Sequence, residues 1–392
     1  MFVELHILQN FAPSCLNRDD TNSPKDCEFG GYRRARISSQ CLKRSIRWHP
    51  VFSDIIDCEV GLRTKRLVER LGSLLEDAGH DAEEVALIVP AAVEHFVGQI
   101  GEDNKTKVLL YLGCDEIERM KGMLEEHWSD LVAAISADKT AGEAQAGKKA
   151  KKADSKGGLV EALAGLKFTA GTRTPDIALF GRMVAEKPEQ NIDAACQVAH
   201  AISTHRVSME MDFYTAVDDL QPEDTAGAGM MGTVEFNSAC FYRYALVNVE
   251  DLAGNLGGDR DLALSAVNAF LRSSVAAIPT GKQNSMAAQN PPSFVLAVVR
   301  DKGLPCSLVN AFLKPVKVAD YGEAESLVEK SMQALDDYWG RITTMYGAEG
   351  VVARPVCWVE EVPLGRLGDQ RVTSAEQLYA TVQTALQTGG GV

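Results

Sequence analysis

Alternation of apolar and polar positions predicts β-strands near both ends of the chain. In residues 2–9 the apolar and polar side chains fall on opposite faces, which is typical of a half-buried strand. The apolar face carries Val3, Leu5 and Ile7, and the polar face carries Glu4 and His6. The same pattern predicts strands at residues 33–37, 233–249 and 293–300 and near 351–360, with a polar loop over residues 10–28.

Helical spacing dominates the block from residue 61 to about residue 136. Leucines recur there at three- and four-residue intervals, and strand alternation is missing, so the block is predicted to be a helical insertion projecting from a sheet-based body. These leucines are Leu67, Leu71, Leu74 and Leu75. Further helices are predicted after Ser38 or Ser39 and at residues 192–206, 260–277, 323–346 and 375–386.

Two segments are predicted to leave the body of the protein. Residues 140–158 consist of small residues, glycines and lysines, which bury little apolar surface, and they are expected to form a mobile loop. Residues 207–232 combine an aromatic segment, an acidic bend and a glycine-rich return, which predicts a protruding hairpin. The overall order of strands and helices predicts an α+β fold with a ferredoxin-like sheet interrupted by insertions.

Composition narrows the class of protein. The 392-residue chain has a formal net charge of −14, which argues against a generic nucleic-acid coat and confines any basic face to a local track. The nine cysteines include no C-x-x-C pair, which favours free thiols in a reducing cytosol. Without a secretory signal or a membrane-length apolar run, the protein is expected to be soluble and cytoplasmic.

The strongest local signal is a basic segment within GGYRRARISSQCLKRSIRW. Between Phe29 and His49 it carries six cations and no carboxylate: Arg33, Arg34, Arg36, Lys43, Arg44 and Arg47. A serine at a helix start, with unpaired backbone N–H groups behind it, can seat an anion. Leu42 and Ile46 are predicted to face a core, which leaves Gln40 and the cations on another side. A solvated basic helix remains the alternative interpretation of this charge pattern.

Signals for catalysis are missing. The chain has no G-x-x-x-x-G-K-[ST], H-E-x-x-H or G-x-S-x-G motif, so no enzyme activity, cofactor or metal is expected. Asp19, Asp20 and Asp26 lie beside the basic helix, and they leave a metal-dependent endoribonuclease as one alternative. Such acids more often cap turns or pair with cations such as Arg18 and Lys25. A purely structural assembly subunit is the other alternative.

Several strings make the chain recognisable: HILQNFAPSCLNRDDTNSPKDCEFGGYRRARISSQCLKRSIR, DIALFGRM, AHAISTHRV, DFYTAVDDL, FYRYALVNV, NLGG and residues 279–291. Together they resemble the CasC family, the crRNA-binding backbone subunits of Cascade, the type I-E CRISPR surveillance complex. The resemblance implies an RRM-like palm (residues 1–58 and 186–392), a helical fingers insertion (59–185) and a hairpin thumb (207–232). The RNP1 pattern is missing, so RNA should not stack on two aromatic side chains of the sheet.

The candidate RNA contacts fall into two groups. Phosphate contacts, which fix register without reading sequence, are predicted at Asn17, Arg18, Lys25, Arg34, Ser38, Ser39, Gln40, Lys43, Arg44 and Arg47. The connection PTGKQNSMAAQN contains small residues that let backbone approach a ligand, and it adds Lys282 and Gln283 as donors.

Other site residues are implied by the resemblance alone. Base-displacing thumb contacts are implied at Met183, Phe213, Tyr214 and Thr215, although their spacing by itself is typical of core residues. Contacts with target duplex DNA are implied for the lysine-bearing loop, at Lys148, Lys149, Lys151 and Lys152, where the lysine spacing departs from the family pattern.

The function that the resemblance implies is structural. The chain is expected to polymerise along crRNA, to grip its phosphate backbone, to displace bases at intervals and to present the guide for pairing with target DNA. Expected partners are crRNA, target DNA, further copies of the chain and the other Cascade subunits, with no membrane.

Overall fold

The computed structural model describes residues 1–56, 60–145, 157–166, 168, 171–184, 187–216, 219, 230–317 and 325–389. The chain divides into two compact units. A sheet unit comprises Met1–Asp57, Cys196–Asp251 and Asp261–Val392, and a helical unit comprises Cys58–Ala195 and Leu252–Arg260. The four predicted DNA-contacting lysines, Lys148, Lys149, Lys151 and Lys152, lie outside the described residues.

The described elements mix strands and helices, which confirms the α+β class. The strands are β1 (Phe2–Ser14), β2 (Asp26–Phe29), β3 (Tyr32–Ile37), β4 (Leu62–Thr64), β5 (Leu110–Leu112), β6 (Cys196–Val198), β7 (Ala201–Ser203), β8 (Glu210–Ala216), β9 (Met230–Asn248), β10 (Phe294–Arg300), β11 (Val351–Ala353) and β12 (Val356–Trp358). The helices are α1 (Ser39–Arg47), α2 (Pro50–Ile56), α3 (Leu67–Asp77), α4 (Ala82–Val97), α5 (Cys114–Glu126), α6 (Trp128–Gln145), α7 (Gly157–Ala164), α8 (Pro175–Phe180), α9 (Val249–Asn255), α10 (Arg260–Ala276), α11 (Gln283–Met286), α12 (Leu327–Tyr346) and α13 (Ala375–Thr388). Short 3₁₀ turns lie at Pro188–Gln190, Leu308–Phe312 and Gly368–Gln370.

The sheet unit is built on the antiparallel pair β1 and β9. Its strand order is β11-β10-β1-β9-β7-β3-β2, while β12 pairs with β10, and β6 and β8 pair with β9. Strand β1 runs along β9 from the pair Phe2–Asn248 to the pair Ser14–Asn237, with a register shift after Phe11. The strands predicted at residues 33–37, 233–249 and 293–300 are therefore confirmed as β3, β9 and β10.

Both faces of the central strands are buried, so the prediction of a half-buried first strand is wrong. On one face Leu5 and Ile7 line a small interior space with Leu42 and Ile46 of α1. On the other face Leu8 belongs to a core cluster with residues of α12 and of the 3₁₀ turn Leu308–Phe312. Elements at the C-terminal end of the chain cover the face that the alternation assigned to solvent.

The polar side chains on that second face have internal partners, although His6 Nε2 is buried without one. Glu4 and His6 are both 0% exposed. The Glu4 carboxylate pairs with Arg300 and also accepts a 2.6 Å hydrogen bond from the backbone N–H of Cys306. The Tyr242 hydroxyl accepts the N–H of Leu308 and is hydrogen-bonded to His6 Nδ1 at 2.8 Å. A buried carboxylate needs partners of this kind because desolvation penalises its charge.

Other local predictions are also wrong. Residues 192–206 were expected to form an alanine-rich helix, but they contain β6 and β7, which pair with β9. Backbone pairing with a long neighbouring strand overrides the helix propensity of alanine. The predicted polar loop at residues 10–28 is shorter than expected because β1 continues to Ser14 and β2 occupies Asp26–Phe29.

The helical unit has its own core, formed by apolar residues of α3 to α7 and of β4 and β5. Leu67, Leu71 and Leu75 are buried in it, as the helical spacing predicts. The block also contains a two-stranded sheet, β4 with β5, that the sequence pattern did not indicate. Pro90 lies inside α4 and does not end it. No helix among the described residues is long and apolar enough to cross a membrane.

Buried His6 makes the stability of the fold dependent on pH. Burial, together with the charge of Arg300, lowers the pKa of His6 to about 3. The unfolded chain takes up a proton on His6 below about pH 6.5, whereas the folded chain does not, so the free energy of unfolding falls on acidification. We expect His6→Gln, which cannot titrate, to remove up to about 1.4 kcal/mol per pH unit from this slope between about pH 4 and 6.

Chemical denaturation of wild type and variant over the acidic range measures the two slopes. The variant should also lose some stability at neutral pH because the bond from Tyr242 changes, so the slope and not the absolute value is diagnostic. Equal slopes would contradict the assignment of this titration to His6.

Candidate nucleic-acid interface

Helix α1 begins where the basic segment leaves the sheet, and side chains fix its start. Ser38 has extended backbone angles, and its hydroxyl accepts a 3.3 Å hydrogen bond from the N–H of Cys41, which is an N-cap. The backbone N–H of Ser38 donates in turn to Asn17 Oδ1 at 2.8 Å. Leu42 and Ile46 are buried, as predicted, while Gln40 and Arg44 are exposed. Asn17 therefore joins the preceding loop to the start of the cationic helix.

The loop that carries Arg18 is held by its own polar groups. The Asp19 carboxylate accepts hydrogen bonds from the backbone N–H groups of Thr21 (2.9 Å) and Ser23 (3.0 Å). Arg18 Nη1 donates to the side-chain oxygen of Asn22 at 3.0 Å, and the chain returns where the N–H of Lys25 meets the carbonyl of Asn17. Asp19 thus organises a turn, the role that acids in such loops commonly have.

A groove of about 570 Å³ lies between this loop, α1 and the connection after α10. Three separate parts of the sheet unit form its walls. They are Leu16, Asn17, Arg18, Asp19 and Asn22 from the loop; Cys41, Arg44, Ser45, Trp48, His49 and Pro50 from α1 and the turn after it; and Ile278, Thr280 and Gly281 from the connection. The structure therefore brings the predicted residues Asn17, Arg18 and Arg44 to one surface.

A glycine allows the connection after α10, the third wall of the groove, to pack closely against the loop that carries Arg18. A Cβ atom on Gly281 would lie 2.4 Å from the carbonyl oxygen of Leu16 and 2.7 Å from that of Cys15, closer than real Cβ contacts. The next residue, Lys282, takes a left-handed backbone conformation with φ of 53°. The connection therefore packs backbone against backbone, which places Lys282 beside the Arg18 loop.

Pairs of cations near the groove act on the pKa of three neighbouring groups. Burial raises the pKa of the Cys15 thiol, and the charges of Arg18 and Lys282 oppose that rise. Burial also raises the pKa of Cys41, with Lys25 and Arg44 opposing. Partial burial lowers the pKa of His200, and the charges of Arg36 and Lys25 lower it further. The cations are thus close enough together to act on shared neighbours.

Arg34 and Arg47 need correction as predicted phosphate contacts. Arg34 is 0% exposed, and its guanidinium donates to the carbonyls of Ser203 (2.9 Å) and Phe312 (2.6 Å). Arg47 is 3% exposed, and its guanidinium lies 5.4 Å from the centre of the Trp48 ring. Both arginines support the structure from within, because the packing that buries them keeps a polyanion away from their charges.

Other predicted contacts are partly committed to structural bonds. Gln283 Nε2 donates to the carbonyls of Pro279 and Ala288, so this side chain closes its own loop. The Ser38 hydroxyl caps α1, and Ser38 is 7% exposed. Ser39 and Lys43 are half-buried on α1.

The predicted thumb residues lie elsewhere and are exposed. Phe213 and Tyr214 are 63% and 41% exposed on β8, whose residues are exposed on both of its faces, Thr215 included. The Tyr214 ring lies across Gly232 of β9, where a Cβ atom would be 2.5 Å from its hydroxyl. Met183 belongs to the helical unit and is 85% exposed. The interpretation of these residues as core, which their spacing favoured, is wrong.

The residue before Met183 is firmly anchored. Arg182 pairs with Glu116 at 2.6 Å, and both side chains are about 1% exposed or less. Its Nε also donates to the carbonyl of Gln190, and its backbone exchanges hydrogen bonds with Ile192. Met183 is therefore presented to solvent from a rigid support.

The acids that suggested a nuclease are engaged in other contacts. Asp26 pairs with the exposed Arg33, and Asp19 organises its turn. Asp20 is exposed. Among the described residues, no cluster of three or more histidine, cysteine, aspartate or glutamate side chains has a geometry that would hold a metal ion.

Sequence reasoning missed several residues of the groove. Trp48, Ser45 and Thr280 line it, but none was a candidate. Trp48 follows the last residue of α1 and is 51% exposed, which is high for a large aromatic side chain. A tryptophan directly after a cationic helix was the sequence signal that could have identified Trp48.

The family model described as CT1975-like protein matches residues 3–384. This chain belongs to the CT1975-like protein family. Among solved structures, a chain of a CRISPR RNA-guided surveillance complex in a pre-nicking state is 31% identical to this CT1975-like protein, with a TM-score of 0.78, covering 98% of this chain and 100% of that one. A chain of another CRISPR RNA-guided surveillance complex is 26% identical, with a TM-score of 0.60, covering 98% and 99%. No curated protein sequence matches the CT1975-like chain.

Substitution of two adjacent arginines, Arg33 and Arg34, should distinguish a buried structural arginine from an exposed one. We expect Arg34→Leu to lower the free energy of unfolding by about 2–4 kcal/mol, because the buried carbonyls of Ser203 and Phe312 lose their donors. The matched variant Arg33→Leu removes only an exposed ion pair with Asp26 and should change stability by less than about 1 kcal/mol. Urea denaturation of both variants measures the difference, and equal losses would show that Arg34 is not a structural bridge.

Proposed function

We propose that this chain is a backbone subunit of a type I-E CRISPR surveillance complex that polymerises along crRNA and holds its phosphate backbone. The observation that carries the proposal is the convergence of cations from separate segments on one groove. The similarity of nearly the whole chain to chains of CRISPR RNA-guided surveillance complexes supports it.

A phosphate track suits a subunit that must accept any guide sequence. Contacts with phosphate fix position without reading bases, whereas specificity is left to base pairing of the guide. Arg34 and Arg47 are buried, and Ser38 and Gln283 are committed to hydrogen bonds within the fold, so these four are left out. The proposed contacts are Asn17, Arg18, Lys25, Ser39, Gln40, Lys43, Arg44 and Lys282. Arg18 and Arg44 are the strongest of these because both are exposed and both line the groove.

Strand order supports an RRM-like palm. Strands β10, β1, β9 and β7 are neighbours in this order, and every adjacent pair is antiparallel. Helix α1 lies between β1 and β7 along the chain, and α10 lies between β9 and β10. This is the arrangement of a β-α-β-β-α-β unit. Because α12 packs over the sheet face that bears Tyr242, RNA would be held beside the sheet and not on it.

The exposed hairpin supports a thumb. Phe213 and Tyr214 on β8 and Met231 on β9 leave large apolar surfaces in solvent. Apolar side chains of this kind can wedge between bases and displace one from the stack, at a cost of a few kcal/mol. We assign this role to the hairpin and, separately, to Met183, whose support is rigid.

The remaining parts of the proposal rest on the sequence. Target DNA is assigned to the lysine-bearing loop, and further copies of the chain and the other Cascade subunits are the proposed protein partners. The location is proposed to be cytoplasmic. A non-catalytic role is proposed, and it is supported by the partners that Asp19 and Asp26 have within their own turn and hairpin.

Reversal of charge on α1 tests guide binding. We expect the double variant Lys43→Glu and Arg44→Glu to lose most of the RNA that co-purifies with the wild-type protein after expression with a CRISPR array. The reason is that two attractive phosphate contacts become repulsive. The ratio of nucleic-acid to protein absorbance of the purified sample, and a denaturing gel of the extracted RNA, measure the loss.

A matched variant controls for net charge. Lys302→Glu combined with Arg341→Glu makes the same change of charge at exposed positions of the sheet unit that do not line the groove. This variant should retain its RNA. Wild type without a short RNA would contradict the proposed function, and so would equal retention by both double variants.

A further inference from the structure

The groove beside α1 contains an aromatic surface as well as cations. Trp48 is 51% exposed, and the exposed part of its ring lines the groove with Arg44 and Arg18. By contrast, Trp128 and Trp339 are 9% and 5% exposed. An exposed indole does not gain the favourable free energy of removing its apolar surface from water, so a ligand that covers the ring would gain it on binding.

The indole is held in place from the interior. The Arg47 guanidinium lies 5.4 Å from the centre of the Trp48 ring, and Arg47 itself is 3% exposed. A buried guanidinium against an aromatic ring restrains the ring by a cation–π contact. Trp48 is also the C-cap residue of α1, and its backbone N–H donates to the carbonyl of Arg44 at 3.2 Å, which ties it to the last turn of the helix.

We infer that a ribonucleotide of the guide occupies this groove, with its base stacked on Trp48 and its phosphate on Arg44 and Arg18. The inference rests on the proposed function and adds a base contact to a track otherwise made of phosphate contacts. The groove, at about 570 Å³, falls within the range of small-ligand sites. Every base has a π-face, so stacking tolerates any sequence, as a guide-binding subunit requires.

Charge in the groove favours a polyanion over an apolar partner. The exposed cations Arg18 and Arg44 face it from two walls, and Lys282 flanks the third. The one carboxylate on the lining, that of Asp19, accepts hydrogen bonds from the N–H groups of Thr21 and Ser23, which offset its charge. Cations around a fixed aromatic ring form the combination that binds single-stranded nucleic acid.

Two oligomers of equal length separate base stacking from phosphate binding. The probes are a short oligouridine and an abasic ribose-phosphate oligomer, titrated against the full chain freed of RNA. Trp48→Leu should weaken oligouridine binding about tenfold and leave abasic binding unchanged, because only the stacking contact is lost. Trp48→Phe keeps an aromatic face and should restore most of the affinity. The dependence of affinity on salt should stay the same in both variants.

Arg44→Gln provides the complementary control. It should weaken binding of both oligomers and reduce the salt dependence, because a phosphate contact is removed. If Trp48→Leu binds oligouridine as wild type does while Arg44→Gln is impaired, stacking is refuted and the guide-binding function stands. Equal weakening of both oligomers by Trp48→Leu also overturns the inference. If wild type binds neither oligomer, the proposed function fails and this inference fails with it.

Discussion

The hydrogen bond from the backbone N–H of Ser38 to Asn17 Oδ1 joins the two halves of the cationic surface. Ser38 begins α1, and Asn17 precedes Arg18, so this contact sets the distance between the loop cation and the helix cations. It also satisfies a backbone donor in front of the helix, where the chain offers no carbonyl partner. Because the loop is braced by Asp19 on its other side, the groove is preorganised before any ligand arrives.

This local preorganisation explains how an acidic protein could hold the acidic ligand that we propose for it. With a formal net charge of −14, the chain as a whole repels a polyanion, and only a confined track can attract one. Within the track Asp19 accepts hydrogen bonds from its own turn and Asp26 pairs with Arg33, so the charge of these two carboxylates is partly offset beside Arg18 and Arg44. At physiological ionic strength the Debye length is about 8 Å, so nearby cations outweigh distant carboxylates.

The sequence predicted those features whose causes are local. Helix α1, with its serine cap and its buried Leu42 and Ile46, follows from residues within one or two turns, and β9 follows from its own alternation. Features decided by distant parts of the chain were missed. Glu4 and His6 are buried by elements some 300 residues away, and Arg34 is drawn inward by the carbonyls of Ser203 and Phe312. A basic motif thus identifies a site more reliably than it identifies which of its arginines are available.

The apolar residues of the hairpin also show that local spacing does not determine burial: here residues that were expected to be buried are exposed. Their spacing is that of core residues, but β8 pairs only with β9 among the described strands, and all of its residues are exposed in the part of the chain that the structure describes. The apolar surface of Phe213 and Tyr214 therefore contributes little to the stability of the isolated chain. Burial at about 25 cal/mol per Å² is realised only when another molecule packs against it. The fold is stabilised by the sheet, which is buried on both faces, and the hairpin's apolar surface remains available to another molecule.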